Sequence, residues 1–214
     1  MKHFIVSACL LGLSVCAFAS PEGRVTGGDV AKEGQHAVED LAILAGTLNR
    51  TSGGIRYQVE RAIMHDKVWD ADNFGNDIGL IKVAEEIEFT ANIQPVGLHL
   101  EHIEPDMWLT LCGWGRTHEE GHSVEDLHYI DLKIIDRKTC QSMHKHKIKN
   151  YMMCTLTKKG EGSCKGDSGS PLLLDGRIAG ISSWGKKCGY GNPNVYTRVE
   201  YFIDWVYKTL EENS

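Results

Sequence analysis

Short runs of alternating apolar and polar residues, broken by turn residues, dominate this chain. Leu41 to Leu48, Tyr57 to Met64, Ile78 to Val83 and Val96 to Leu100 are apolar segments of strand length, several rich in Val and Ile. Ser52-Gly53-Gly54 and the stretch Asp70 to Asn76 supply breaks between them. The second half continues through Trp108 to Trp114, Leu127 to Ile135, Pro171 to Leu174, Ile178 to Trp184 and Asn194 to Val199. Short strands with frequent turns predict an all-β sandwich or barrel. The period changes only at the C-terminus. Val199, Phe202, Ile203, Val206 and Leu210 fall three or four apart with Glu200, Asp204 and Lys208 off the stripe, which predicts one amphipathic helix.

The N-terminus stands apart from this pattern. Lys2 and His3 precede an apolar run from Phe4 to Phe18 that ends in Ala17-Phe18-Ala19. A basic start, an apolar centre and a small-residue end read as a secretory signal peptide over residues 1–19, and so as an extracellular product. A membrane anchor is the competing reading, but the run is shorter than the roughly 20 residues a span needs. Arg24 before Val25 marks a processing site.

Composition narrows the partners. The chain of 214 residues carries a net charge of −6, which argues against nucleic acid and anionic membranes. Seven cysteines fall to five once Cys9 and Cys16 leave with the leader, and an odd count leaves one thiol over. Export makes disulfides the default for the others. No paired zinc-ligand spacing appears, so no metal is expected. Asn49-Arg50-Thr51 is a sequon, which makes Asn49 a candidate glycan acceptor.

The segment Cys164-Lys165-Gly166-Asp167-Ser168-Gly169-Ser170-Pro171 carries the strongest chemical signal. A serine between glycines on a tight turn can expose its hydroxyl and turn backbone N–H groups toward a substrate carbonyl. Alone, such a cluster is usually a plain turn. Its companions are Val25-Thr26-Gly27-Gly28, Asn76-Asp77-Ile78-Gly79-Leu80-Ile81-Lys82, Ile93-Gln94-Pro95-Val96, Gly113-Trp114-Gly115, Ser182-Ser183-Trp184-Gly185 and Pro193-Asn194-Val195-Tyr196-Thr197-Arg198-Val199. In this order, from residue 25 to about 210, they resemble the trypsin/chymotrypsin-like serine peptidases.

That resemblance implies two antiparallel six-stranded β-barrels and a C-terminal helix. Residues 20–24 would be an activation peptide and residues 25–210 the peptidase domain. Within it, 25–100 would form a truncated first barrel, 101–198 the second barrel and 199–210 the helix. Ser168 would be the nucleophile, Asp77 the residue that orients a general base, and the Gly166 and Ser168 N–H groups the oxyanion hole. Cleavage behind Arg24 would free the Val25 ammonium to pair with Asp167. Cys140–Cys154 and Cys164–Cys188 would be disulfides, leaving Cys112 as the free thiol. Gly162, Ser163, Ser183, Trp184, Gly185 and Asn194 would form the substrate pocket. With Gly162 at its floor, where trypsin-like members have an aspartate, the pocket would favour small or medium uncharged side chains over Lys or Arg. Protein or peptide substrates, an activating trypsin-like protease and protein inhibitors are the implied partners of a monomer with no cofactor.

The general base is missing. The family carries it in an Ala-Ala-His-Cys segment, yet here Gly34-Gln35-His36-Ala37-Val38 runs directly into Glu39-Asp40-Leu41, which resembles sequence beyond that histidine. A stretch of roughly thirty to forty residues is absent near Val38 to Asp40, and two or three strands go with it. His36 lies too early and His65 matches a surface position. His144 and His146 read as a solvated loop, while His99, His102, His118, His122 and His128 match no catalytic place. Two readings follow: a protease whose sequence has lost an exon, or a non-catalytic homologue that binds a peptide or protein.

Overall fold

The computed structural model describes residues 4–6, 15–18, 41–65 and 75–213. Arg24, Val25, His36 and the junction at Val38 to Asp40 lie outside the described residues. The second half closes into a barrel of six antiparallel strands: β6 (Trp108–Gly113), β7 (His128–Ile135), β8 (Met152–Thr155), β9 (Pro171–Leu174), β10 (Arg177–Gly185) and β11 (Asn194–Arg198). Their order around the barrel is β10-β11-β8-β7-β6-β9. Period-two alternation fills its interior. Leu109 and Leu111 of β6 and Leu132 and Ile134 of β7 point inward, joined by Met153, Leu172 and Tyr196. Asp131 stays outside on β7, where it accepts a hydrogen bond from the Thr110 hydroxyl. The β9–β10 hairpin turns at Asp175-Gly176, where both residues have positive φ (48° and 70°). That pair suits the tight turn that matches strand twist.

The first half is a five-stranded sheet, where the resemblance implies a truncated barrel. Strands β1 (Phe4–Val6), β2 (Val15–Phe18), β3 (Ala42–Ala45), β4 (Ile55–Met64) and β5 (Gly79–Val83) lie in the order β1-β5-β4-β3-β2. Ile43, Ala45, Tyr57, Val59, Val83, Ile87 and Ile93 form its core. Both outer strands fall within residues 1–19. Phe4 to Val6 pair with Lys82 to Leu80, and Val15 to Phe18 pair with Ala45 to Ala42.

The terminal helix joins the halves. It begins as a 3₁₀ turn, Val199–Phe202, and continues as α2 (Ile203–Glu212). Its buried stripe of Val199, Phe202 and Val206 packs with Ile78 and Leu80 of the first half and with Trp114, Leu173, Ile178 and Ile181 of the second. Besides strand β8, which the hydrophobic pattern did not mark, two elements depart from expectation. Helix α1 (Arg137–Met143) precedes β8, capped by the Asp136 side chain, which accepts from the Thr139 N–H. Val96 to Leu100 forms no strand. It is a linker held to β10 by one bridge, Leu98 to Ile178, and by hydrogen bonds His99 N–H to Ile178 O and Ile178 N–H to Gly97 O.

Candidate functional site

Ser168 sits on the turn that feeds β9, and its side chain is exposed. Gly166 and Gly169 flank it with φ of +98° and +83°, conformations that disfavour any residue with a Cβ. The turn is fastened to β10 by two hydrogen bonds, Gly169 N–H to Ser182 O (2.8 Å) and Ser182 N–H to Ser170 O (2.9 Å).

Asp167 anchors the turn from below. Its Oδ1 accepts from Gly115 N–H at 2.8 Å and its Oδ2 from Cys164 N–H at 2.9 Å. Burial pushes its carboxyl above the usual carboxylate range, opposed by those two N–H groups and by nearby His128. A side chain at Gly113 or Gly115 would strike this carboxylate. The Gly-Trp-Gly motif is therefore a cradle for Asp167.

Asp77 immediately precedes the buried Ile78 and strand β5, and two strands of the barrel hold it. The Ser183 hydroxyl on β10 donates to Asp77 Oδ2 at 2.6 Å, and the Thr197 hydroxyl on β11 donates to the Asp77 carbonyl at 2.7 Å. Among the described residues, Ser183 is the hydrogen-bond partner of this carboxylate. Several of the described histidines are engaged elsewhere. His65 packs against Phe202 and Trp205, His102 pairs with Glu200 at 2.7 Å, and His128 neighbours Asp167.

The Asp77–Ser183 hydrogen bond links the linings of two cavities. One of about 340 Å³ is lined by Asp77 with Ile63, Met64, Asn76 and Ile78 of the first sheet. The other, also about 340 Å³, is lined by Ser168 together with Ser163, Ser183, Trp184, Gly185 and Asn194. Gly162 lines a separate cavity with Gly113, Gly115 and Asp167, and the Ser168 cavity is bounded instead by the buried Asn194. Its Oδ1 accepts from Ser163 N–H at 3.2 Å and its Nδ2 donates to Ser163 O at 3.3 Å. A Cβ at Gly162 would clash with Asn194 Oδ1, and one at Gly185 would lie 2.6 Å from its Nδ2. The Asn194 side chain thus fills the gap between those two glycines.

The cysteines pair as Cys140–Cys154 and Cys164–Cys188, with Cα separations of 6.3 and 5.1 Å. Cys112 is a buried free thiol, and burial, helped by the Asp167 charge, pushes it up to about 12. Asn49 donates its Nδ2 to Asp126 Oδ1 at 2.9 Å, while its Oδ1 accepts from Thr51 and Ser52. No cluster of three or more metal-ligating side chains occurs among the described residues.

The solvated-loop reading of His144 is corrected. His144 is buried, donates Nε2–H to Pro193 O at 3.0 Å, and packs edge-on against Trp184 with ring centroids 4.8 Å apart. Burial lowers its pKa, and Lys186 and His146 add to the effect. Lys145, His146 and Lys147 after it are all exposed, which hid the one inward residue before them. Also unanticipated were Glu119 and three lysines at the rim of the Ser168 cavity: Lys165, Lys186 and Lys187. Glu119, Lys165 and the Lys186-Lys187 pair come from three separate stretches of chain, so no local pattern joined them.

A model of the family described as Trypsin matches residues 16–206. The chain is similar to Chymotrypsin-2 of Vespa crabro, 40% identical over 153 residues, covering 71% of this chain and 69% of that protein. It is similar to a Trypsin of Phaedon cochleariae, 31% identical over 193 residues, covering 87% and 74%. Among solved structures it resembles neuropsin, described as a serine protease expressed in the limbic system of mouse brain. The TM-score is 0.74, with 27% identity and 79% of each chain covered. The chain belongs to the trypsin-like serine peptidase family, peptidase S1.

Proposed function

We propose that this is a secreted serine endopeptidase by descent whose present chain retains the nucleophile turn and peptide cleft but lacks the base that activates Ser168. One observation carries the reading: the Asp77 carboxylate is partnered by Ser183 and faces an open cavity of the first sheet, with no imidazole on it among the described residues. In a chain with that segment restored, an imidazole seated between Asp77 and Ser168 takes the hydroxyl proton. Ser168 then attacks the substrate carbonyl while the Gly166 and Ser168 N–H groups receive the developing oxyanion. Without it, the hydroxyl is a poor nucleophile. Removing a triad member from such a site costs up to about 10⁶ in turnover.

The pocket selects small or medium uncharged side chains. Its lining has one carboxylate, Glu119, which Lys165 already engages, and the Asn194 side chain takes up the space beside Gly185. Cleavage behind Arg24 by a trypsin-like protease is the activating step. The new Val25 ammonium then has a ready counter-ion in the buried Asp167.

The experiment is titration with a fluorophosphonate probe, on this chain and on a chimera carrying a complete histidine segment between Val38 and Leu41. Labelling of Ser168 in the chimera alone is the expected result. Rapid stoichiometric labelling of the unmodified chain would refute the missing-base reading. A chimera that folds but stays unlabelled favours the second reading, a non-catalytic homologue that binds a peptide in the same cleft. The exposed, intact cleft is the observation behind that alternative.

A further inference from the structure

The cleft beside Ser168 carries a local charge opposite to that of the chain. The whole sequence has a net charge of −6, yet three lysines, Lys165, Lys186 and Lys187, line this cavity against a single carboxylate, Glu119. All three lysines are exposed. Their engagements decide how much charge is left over. Glu119 is committed to Lys165 at 2.6 Å, and its other oxygen accepts from Cys188 N–H at 2.9 Å. Those contacts hold its carboxyl below the usual carboxylate range, so it stays ionised and cancels Lys165. Lys186 donates to the Met143 carbonyl, and Lys187 lies over the Tyr190 ring at 5.6 Å. Both partners are neutral, so two positive charges remain uncompensated at the cleft mouth.

Depth and charge divide the cleft. The buried part of its lining, Ser163, Ser182, Cys188 and Asn194, carries no charge, and the Asn194 side chain takes up the space beside Gly185. Trp184 supplies an apolar wall. An anion therefore meets the lysines at the rim rather than at the bottom. We infer that the cleft recognises acidic peptide segments, in which Asp or Glu flank the small uncharged residue that enters the pocket. Oppositely charged surfaces steer encounter and fix register, and an exposed cleft makes this attraction salt-dependent. This inference rests on the reading of the Ser168 cleft as a peptide site.

The test uses the intact chain and fluorescein-labelled hexapeptides read by anisotropy. Each has alanine as the pocket residue, flanked by Asp, by Ser or by Lys. The Asp peptide is expected to bind about tenfold tighter than the Ser peptide at low salt, the sum of two exposed ion pairs. The gap should close by about 0.5 M salt, where the screening length is only a few ångströms. The double substitution Lys186→Ser with Lys187→Ser should bring the Asp-to-Ser affinity ratio to one. Lys208→Ser on α2, far from the cleft in sequence and unconnected to it, should leave the ratio as it was. If the double variant does not fold, the salt dependence of the unaltered chain still decides. Equal binding of Asp and Ser peptides overturns this inference and leaves the peptide cleft standing. Failure of all three peptides to bind overturns both. Heparin hexasaccharide binding as tightly as the Asp peptide would reassign the lysines to a polyanion and overturn the peptide assignment.

Discussion

The Ser183 hydroxyl donates to Asp77 Oδ2 at 2.6 Å, and this contact ties the segment leading into β5 to the wall of the Ser168 cavity. Ser183 lines the cavity that holds Ser168, while Asp77 lines the cavity of the first sheet. Ser183→Ala leaves a half-buried carboxylate oxygen without its partner. It should cost about 1.5–3 kcal/mol of unfolding free energy, the range for a hydrogen bond to a charged group. Urea denaturation measures it, and an unchanged midpoint would show that water replaces the hydroxyl.

Asp167 makes stability depend on pH with a definite sign. Burial raises its folded-state pKa above that of the unfolded chain, so the folded state holds its proton to higher pH. Unfolding free energy should therefore fall as pH rises from the unfolded carboxylate value through the raised folded one. Comparison with Asp167→Asn isolates the effect, because the asparagine does not titrate. The stability difference, wild type minus variant, should decrease across that window and then level. Calorimetry between pH 3.5 and 7 follows it; a difference that grows with pH would mean that the N–H donors outweigh burial.

Asn194→Gly should lengthen the pocket. Its side chain alone separates Gly162 from Gly185, so its loss opens space for an aromatic residue. Peptide affinity should move from alanine toward phenylalanine at the pocket position, by about tenfold or more for the added apolar contact. Anisotropy with matched Ala and Phe peptides measures the shift, and an unchanged preference would place the pocket elsewhere.

Cys112 should resist alkylation in the folded protein. It is 2% exposed and its thiol is pushed up to about 12, so neither access nor thiolate is available at neutral pH. Iodoacetamide followed by non-reducing peptide mapping should find Cys112 unlabelled in buffer and labelled in denaturant. Cys140–Cys154 and Cys164–Cys188 should appear as linked peptides.

What the sequence disclosed and what it hid separate along physical lines. Strands with one wet face announced themselves: Leu132 and Ile134 alternate with Asp131 and Lys133 on β7. Strand β8 was invisible because Met152 to Thr155 are all buried, which removes the alternation. Helix α1 has seven residues and one buried side chain, too short for a stripe. Gly113 and Gly115 were legible as a motif, but their reason, room for the Asp167 carboxylate, exists only in three dimensions. The lysine rim was hidden for a related reason. Glu119 and Lys165 are 46 positions apart, and only folding makes them a pair.

The strand order of the first sheet makes its assembly a matter of timing. Strands β1 and β2, both from residues 1–19, cap the two flanks of β5-β4-β3. A chain processed behind Ala19 keeps three strands and bares the hydrogen-bonding sides of Ala42–Ala45 and Gly79–Val83 at once. Those sides can be satisfied by a neighbour as readily as by residues 1–19, so the processed form should show a lifetime that shortens with concentration. The unprocessed form, which carries its own caps, should decay at a rate independent of it.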